Sequence, residues 1–372
     1  RRSTNKMATT TGAQPGTNAA PAASSKNSPI YIETQHDDMV HDAQLDYYGC
    51  KLATSSSDRT VKIYDVSNNS YTNTATLQSH TGPVWSLSWS HPRYGSLLAS
   101  ASFDGSILIH RETSPREWTL IYGQPPSANA SSAPSNQNAS SSTQTLHESS
   151  VNDVSFAPHE YGLVLAGCSS DGKVSILTHG EDSNDWIVEY IQDNAMGVNS
   201  ISWAPFTAYD GTMNDSGDEG AKSQMRLVTG GCDNKIRFWT KATSGGGVSW
   251  TEDSMNQPIS SSSAAHSDWI RDVAWSPSII PNTNIIASCS EDRTVIIWTQ
   301  KGGLGNEWNG IVLNTFEDPV WKLSWNMTGS ILAVSSGDSN VTLWKQDMHE
   351  MWTQVSTVEE STGGNGSGAS AE

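Results

Sequence analysis

Residues 286–299 read IASCSEDRTVIIWT, a run of β-branched and small residues, a charged break at Glu291-Asp292-Arg293, and a second apolar run that reaches Trp298. Two β-rich runs joined by residues that bond their own backbone describe a tight hairpin. The same frame recurs at LATSSSDRTVKIYD (52–65), LASASFDGSILIHR (98–111), VLAGCSSDGKVSIL (164–177), LVTGGCDNKIRFWT (227–240) and LAVSSGDSNVTLWK (332–345). In all six an Asp precedes a large residue by six positions: Asp58 and Tyr64, Asp104 and His110, Asp171 and Leu177, Asp233 and Trp239, Asp292 and Trp298, Asp338 and Trp344. One spacing repeated six times is a structural repeat.

Each hairpin is flanked by further strands. Upstream lie VWSLSW (84–89), VNDVSF (151–156), VNSISW (198–203), WIRDVAW (269–275) and VWKLSW (320–325), which alternate or nearly alternate as inner strands do. Downstream a second aromatic, Tyr71, Trp118, Trp186, Trp250, Trp308 or Trp352, opens a fourth strand. Four strands per unit, with turn Asp residues 46 to 67 positions apart, are the signature of β-propeller blades, so the expected fold is an all-β propeller of six blades. Most of the 15 Trp then serve to pack blade against blade.

Composition narrows the function. The chain has 21 Lys and Arg against 39 Asp and Glu, a net charge of −18, and no long basic run, which argues against nucleic-acid binding. No apolar run is long enough to span a bilayer and no signal peptide opens the chain, so a soluble, non-secreted protein is expected. Cys50, Cys168, Cys232 and Cys289 form no C-x-x-C pair and read as buried thiols, without disulfide or zinc. Asn-x-Ser/Thr triplets, such as those at Asn138 and Asn326, are the chance product of an Asn- and Ser-rich chain. Residues 1–29, the inserts 124–144, 207–224 and 254–265, and the tail 359–372 are rich in Ser, Ala, Asn, Gly and Thr and are expected to be disordered, leaving 30–358 as the propeller. Met7 offers a start, with Arg1 to Lys6 ahead of it.

The blades resemble those of WD-repeat propellers, which share a tetrad of a His before the inner strand, a Ser or Thr on the second strand, the turn Asp and the third-strand Trp. The fifth unit matches throughout, with His266, Ser288, Asp292 and Trp298. The first has His36, Thr54 and Asp58 with Tyr64, and the second His80, Ser100 and Asp104 with His110. The third keeps His147 and Asp171, the fourth Thr229, Asp233 and Trp239, the sixth Asp338 and Trp344. The resemblance implies that these residues are structural and that the incomplete blades lean on hydrophobic packing.

Sites of chemistry are weakly indicated. The cluster His36-Asp37-Asp38 with His41 and Asp42 has ligand-type side chains, but His36 takes a tetrad position and the rest open an inner strand. The Asp-to-Trp interval of six differs from the five of sialidase-like boxes, and neither a phosphate loop nor a nucleophile elbow is present. No catalytic residue, cofactor or metal is expected.

Counting strands sharpens the function. After Trp344 the chain turns at Gln346 to Glu350 and supplies MWTQVSTV (351–358), so the sixth blade completes itself. The alternating stretch Ile30-Tyr31-Ile32-Glu33-Thr34 is then surplus, and a bare sheet edge invites a partner strand. The runs HDDMVHDAQLDYYGCKLATSSSDRTVKIYDV (36–66), GPVWSLSWSHPRYGSLLASASFDG (82–105), VNDVSFAPHEYGLVLAGCSSDGKVSIL (151–177) and HSDWIRDVAW (266–275) resemble the family of small propeller subunits of the COPII outer coat, which also serve in the Y-shaped scaffold of the nuclear pore. That resemblance implies an open propeller closed in trans by a seventh blade. The donor is an α-solenoid: the large outer-coat subunit at the cytoplasmic face of ER membranes and vesicles, or a scaffold nucleoporin at the nuclear envelope. Membrane contact is then only peripheral, and Ile30 to Thr34 mark the seam. A related nucleoporin propeller, a self-closed peptide-binding ring and a propeller-fold hydrolase are the alternatives.

Overall fold

The computed structural model describes residues 32–67, 70–123, 145–180, 185–194, 196–206, 224–244, 247–252, 265–277, 283–302 and 307–358. The expected low-complexity segments lie almost wholly outside these residues. Within them the chain forms six antiparallel four-stranded sheets, each made of strands consecutive in sequence. Blade 1 comprises β1 (Val40–Leu45), β2 (Lys51–Ser56), β3 (Val61–Ser67) and β4 (Ser70–Leu77), and blade 2 comprises β5 (Val84–Trp89), β6 (Leu97–Ser102), β7 (Ile107–Ser114) and β8 (Glu117–Tyr122). Blade 3 is β9 (Val151–Phe156), β10 (Val164–Ser169), β11 (Lys173–His179) and β12 (Trp186–Gln192), followed in blade 4 by β13 (Val198–Trp203), β14 (Arg226–Gly231), β15 (Ile236–Ser244) and β16 (Gly247–Glu252). Blade 5 is β17 (Ile270–Trp275), β18 (Thr283–Ser290), β19 (Thr294–Lys301) and β20 (Trp308–Thr315); blade 6 is β21 (Val320–Trp325), β22 (Ile331–Ser336), β23 (Val341–Gln346) and β24 (Trp352–Val358). The expected six-bladed propeller is the observed architecture.

The β2–β3 type of hairpin has one local requirement in every blade. The residue after the turn Asp has positive φ at Arg59, Gly105, Gly172, Asn234, Arg293 and Ser339. Asp stabilises this geometry by accepting the backbone N–H two residues on, as Asp58 Oδ1 does from Thr60 at 2.9 Å and Asp292 Oδ1 from Thr294 at 2.9 Å. The six-residue spacing read in the sequence is therefore the turn Asp, a left-handed residue and the outgoing strand.

Burial follows from stacking sheet on sheet. In blades 2 to 4 every residue of the second strand is buried, on both faces, which explains why LLASAS, VLAGCS and RLVTGG carry small or apolar side chains without strict alternation. Five apolar cores lie between successive blades, joining 1 to 2, 2 to 3, 3 to 4, 4 to 5 and 5 to 6. Among the described residues no such core joins blade 6 to blade 1.

Two expectations need correction. Ile32 to Thr34 adopts no strand, and Ile30 and Tyr31 lie outside the described residues; the compact propeller unit begins at Thr34. Thr34 is held by side chains instead of a ladder, because its carbonyl accepts a hydrogen bond from the Tyr64 hydroxyl and another from Lys62 Nζ. Cys50 is exposed, because it sits in the turn between β1 and β2 and not in a strand; Cys168 and Cys289 are buried, Cys232 is half-buried, and all four are free thiols.

Candidate functional site

The tetrad positions come together to different degrees. In blade 5, His266 bonds Asp292 at 3.2 Å and Ser288 at 2.7 Å, and the Trp298 indole N–H donates to the same Ser288 hydroxyl at 2.9 Å. His36 joins Asp58 (2.7 Å) to Thr54 (2.8 Å), and His80 joins Asp104 (3.3 Å) to Ser100 (2.8 Å). Burial alone would raise the Asp58, Asp104 and Asp292 carboxyls. Hydrogen bonds from the neighbouring His and hydroxyl groups outweigh it and hold all three well below the usual carboxylate range.

The incomplete tetrads are mended by polar substitutes as well as by packing. In blade 3, Gly167 occupies the second-strand position, and His147, bonded to Asp171 at 3.0 Å, reaches Ser175 on β11 at 2.9 Å. In blade 4 the buried Asp193 takes over from histidine: Thr229 and the Trp239 indole N–H donate to it, and Arg237 ties it (3.1 Å) to Asp233. Asp193 lies five residues before β13, whereas the histidines lie four residues before their inner strands, so alignment of the repeats passes it by. In blade 6, Phe316 packs against Trp344 and the Trp344 indole N–H donates to Thr342 at 2.9 Å, while Asp338 accepts from Asn340. These side chains bond one another, as structural residues do.

The cluster around His41 is likewise dispersed. His41 packs in a tilted contact, ring centroids 4.3 Å apart, on Trp85 and bonds Ser57, whereas Asp42 points to blade 2 and accepts the Leu87 N–H at 2.9 Å. Among the described residues no group of three acidic, His or Cys side chains is placed to hold a metal.

Asp42 belongs to a ring that sequence reading missed. Each inner strand carries a bulge at its second residue, as between Val40 and Asp42 or Val320 and Lys322, and the third residues Ser86, Asp153, Asp272 and Lys322 line a cavity of about 760 Å³. The third residues of the six blades run Asp42, Ser86, Asp153, Ser200, Asp272, Lys322. Ser86 donates to Asp153 and Ser200 to Asp272, each at 2.6 Å. The acids in turn accept backbone N–H groups from the next blade: Asp153 from Ile201 at 3.1 Å and Asp272 from Leu323 at 2.8 Å. Burial pushes the Asp42 and Asp272 carboxyls up, opposed first by the charge of Lys322. Lys322 is held far above the ordinary lysine range, first by Asp272, whose carboxylate lies 3.8 Å away, with the charges of Asp153 and Asp42 adding to the effect. Alignment of VHDAQL, VWSLSW, VNDVSF, VNSISW, IRDVAW and VWKLSW would have exposed the alternation.

The seam between blades 6 and 1 differs from the other five. The face of blade 2 that presents Ala99, Ala101, Ile107 and Ile109 is buried against blade 3. Its equivalent on blade 6 runs through Ala333, Ser335, Val341 and Leu343, none of them fully buried, and β22 alternates between half-buried and buried positions. The opposing face of blade 1 is also open: Val40 is 43% exposed, where Val84, Val151, Val198, Ile270 and Val320 at the same position are fully buried. Two apolar sheet faces thus look into one seam, with Lys322 on one side and Asp42 on the other. Of the expected seam residues, Thr34 lies here, because its carbonyl is bonded to Tyr64, which pairs with Leu52 on the face of blade 1 turned away from blade 2.

Comparison with known proteins agrees with this architecture. The family WD domain, G-beta repeat matches residues 27–65, 71–111, 139–176, 190–240, 257–299 and 310–345. The chain is 43% identical over 325 residues to Protein SEC13 homolog of Drosophila melanogaster, covering 87% of this chain and 82% of that protein. It is 42% identical over 339 residues to Protein transport protein sec13 of Emericella nidulans, covering 89% and 98%, and 38% identical over 368 residues to Protein transport protein SEC13 of Mycosarcoma maydis, covering 90% and 96%. Among solved structures, a chain of the Mitotic Checkpoint Complex superposes with a TM-score of 0.57 at 20% identity, over 84% of this chain and 76% of that one, a likeness of fold alone.

Proposed function

This chain belongs to the SEC13 family of WD-repeat propellers, and from that premise we propose that it is a scaffold subunit of the COPII vesicle outer coat, without enzymatic activity, working in ER-to-Golgi transport. Its docking site is the seam between blades 6 and 1. An α-solenoid partner, the large subunit of the coat, fills the seam with a seventh blade, and Ile30 to Thr34 flank the point of entry.

The observation that carries this reading is the pair of incompletely buried apolar faces, Ala333, Val341 and Leu343 on blade 6 and Val40 on blade 1, where among the described residues no interblade core forms of the kind that joins the other blades. Bare faces of this kind favour a partner that supplies both main-chain pairing and apolar side chains. The self-completed blade 6, with β24 paired to β23, supports this reading, because its fourth strand already comes from the C-terminal part of the chain. The same seam would serve a scaffold nucleoporin of the pore Y-complex, and a protein in both assemblies would sit at the cytoplasmic face of the ER, on vesicles and at the nuclear envelope.

Co-expression with a solenoid fragment that carries its strand-donating segment tests the proposal. The expected result is a stoichiometric complex in which hydrogen exchange at Val40 to Leu45 and Ile331 to Gln346 slows. A propeller that stays monomeric beside that fragment, with these strands already protected, would overturn it. Ile32→Pro should weaken the complex; undiminished affinity would remove residues 30–34 from the entry point.

A further inference from the structure

The ring of third residues on the inner strands obeys a rule at its closed seams. Where a blade with Asp follows a blade with Ser, the Ser hydroxyl donates to the acid: Ser86 to Asp153 Oδ1 and Ser200 to Asp272 Oδ1. Where the Asp comes first, its other oxygen takes the backbone N–H of the next blade: Asp42 from Leu87, Asp153 from Ile201, Asp272 from Leu323. Every acid therefore has one oxygen committed forward and the other available to a hydroxyl from behind.

Asp42 lacks a blade behind it. Its Oδ1 accepts instead from the Gln44 side-chain amide of its own strand at 3.0 Å, in the place that serine fills at Asp153 and Asp272. At the other lip of the seam stands Lys322, which occupies the serine position of the alternation but is a cation, 48% of its side chain open to solvent, with Asp272 behind it. A residue inserted between the two must accept from an ammonium and donate to a carboxylate. An acidic side chain would meet Asp42 as a like charge beside three acids and one lysine, and an apolar one would take solvent away from both groups without giving either a new partner.

We infer that the inner strand of the donated blade carries a hydroxyl residue, Ser or Thr, at its third position, which accepts from Lys322, donates to Asp42 and displaces Gln44. This inference rests on the docking reading above and names the side chain by which the seam selects and registers its blade. Register is the critical property, because a slip of one residue turns a strand's apolar set to the wrong face. A polar contact fixed at one position of the channel penalises that slip.

Donor fragments of the solenoid partner that differ only at this position, bearing Ser, Ala or Asp, separate the possibilities when their affinities for the full chain are measured. Ser is expected to bind tightest, Ala about a hundredfold more weakly through the loss of two hydrogen bonds to charged groups, and Asp more weakly still. Asp42→Asn should restore much of the Asp fragment's affinity, and Gln44→Ala, which removes the competitor without touching a charge, should tighten binding of the Ser fragment. Equal affinity for the three fragments, or an Asp penalty untouched by Asp42→Asn, would overturn the inference while leaving blade donation standing. If none of the fragments binds, including one with the partner's own residue, both readings fall.

Discussion

Arg237 Nη1 lies 3.1 Å from the fully buried carboxylate of Asp193 and its other nitrogen grips Asp233, so that in blade 4 an ionic bridge does what a His–Asp contact does in blades 1, 2, 3 and 5. The substitution changes which loss the blade tolerates. Two carboxylates are held together by one guanidinium, and a buried charge without its partner is costly.

Replacing Arg237 by Leu should therefore destabilise the protein by about 3 kcal/mol or more, the cost of stranding a buried charge. Asp193→Asn in the same chain should recover part of that loss, giving a favourable coupling in a double-mutant cycle read by chemical denaturation. Strictly additive effects would show that the two side chains are not coupled.

His110 stands where blade 5 has Trp298, and burial lowers its pKa to about 4 from the ordinary 6.5, with the nearby charge of His80 adding to the effect. A depressed folded value means that the unfolded chain binds the proton first as pH falls. The stabilisation is complete above pH 6.5 and is lost between 6.5 and about 4, to the extent of about 3 kcal/mol. His110→Gln, which can still bond Ser79 but does not titrate, should flatten the pH dependence of the melting temperature in that window.

Asp272 receives the Ser200 hydroxyl at 2.6 Å and the Leu323 N–H at 2.8 Å and is the nearest counter-charge of Lys322. Asp272→Ala takes the acceptor from the buried Leu323 N–H and the nearest counter-charge from Lys322, while the Ser200 hydroxyl keeps Asp153 at 3.1 Å, and should cost about 3 kcal/mol, against about 1 kcal/mol for Ser86→Ala, which removes a single donor. Urea unfolding of the two variants checks the ranking.

The left-handed turn residues differ in tolerance. Arg59 has φ 68, so Arg59→Gly should be neutral or gain up to about 1 kcal/mol by relieving strain. Gly105, at the equivalent turn, has no such latitude: a Cβ there would lie 2.7 Å from the His147 carbonyl oxygen, and Gly105→Ala should lower the melting temperature and loosen the blade 2 to blade 3 seam. Calorimetry of both variants is sufficient.

The blades were legible because their signals are local. A turn Asp must accept from the N–H two residues on, and the strand leaving the turn must place a large residue a fixed distance later; both constraints are written in contiguous residues. The inner strands VWSLSW, VNDVSF, VNSISW and VWKLSW were bounded to the residue for the same reason. Alternation in Ile32 to Thr34 shows that a segment can be a strand, not that a neighbour is present to pair with it, and these three residues find no ladder within the chain. Cys50 misled because its apolar neighbours continue across a turn.

What the sequence determined by itself is the blade: its four strands, its turn and its number of repetitions, all set by short-range chemistry. What only the tertiary structure decided is the relation between blades. Asp193 in place of histidine, the Asp and Ser ladder through the channel, and the uncovered faces at Val40 and Leu343 each depend on residues far apart in the chain meeting, or failing to meet, across a seam. Spacing along one chain carries no record of such meetings, because packing of sheet on sheet selects them only after every blade has formed.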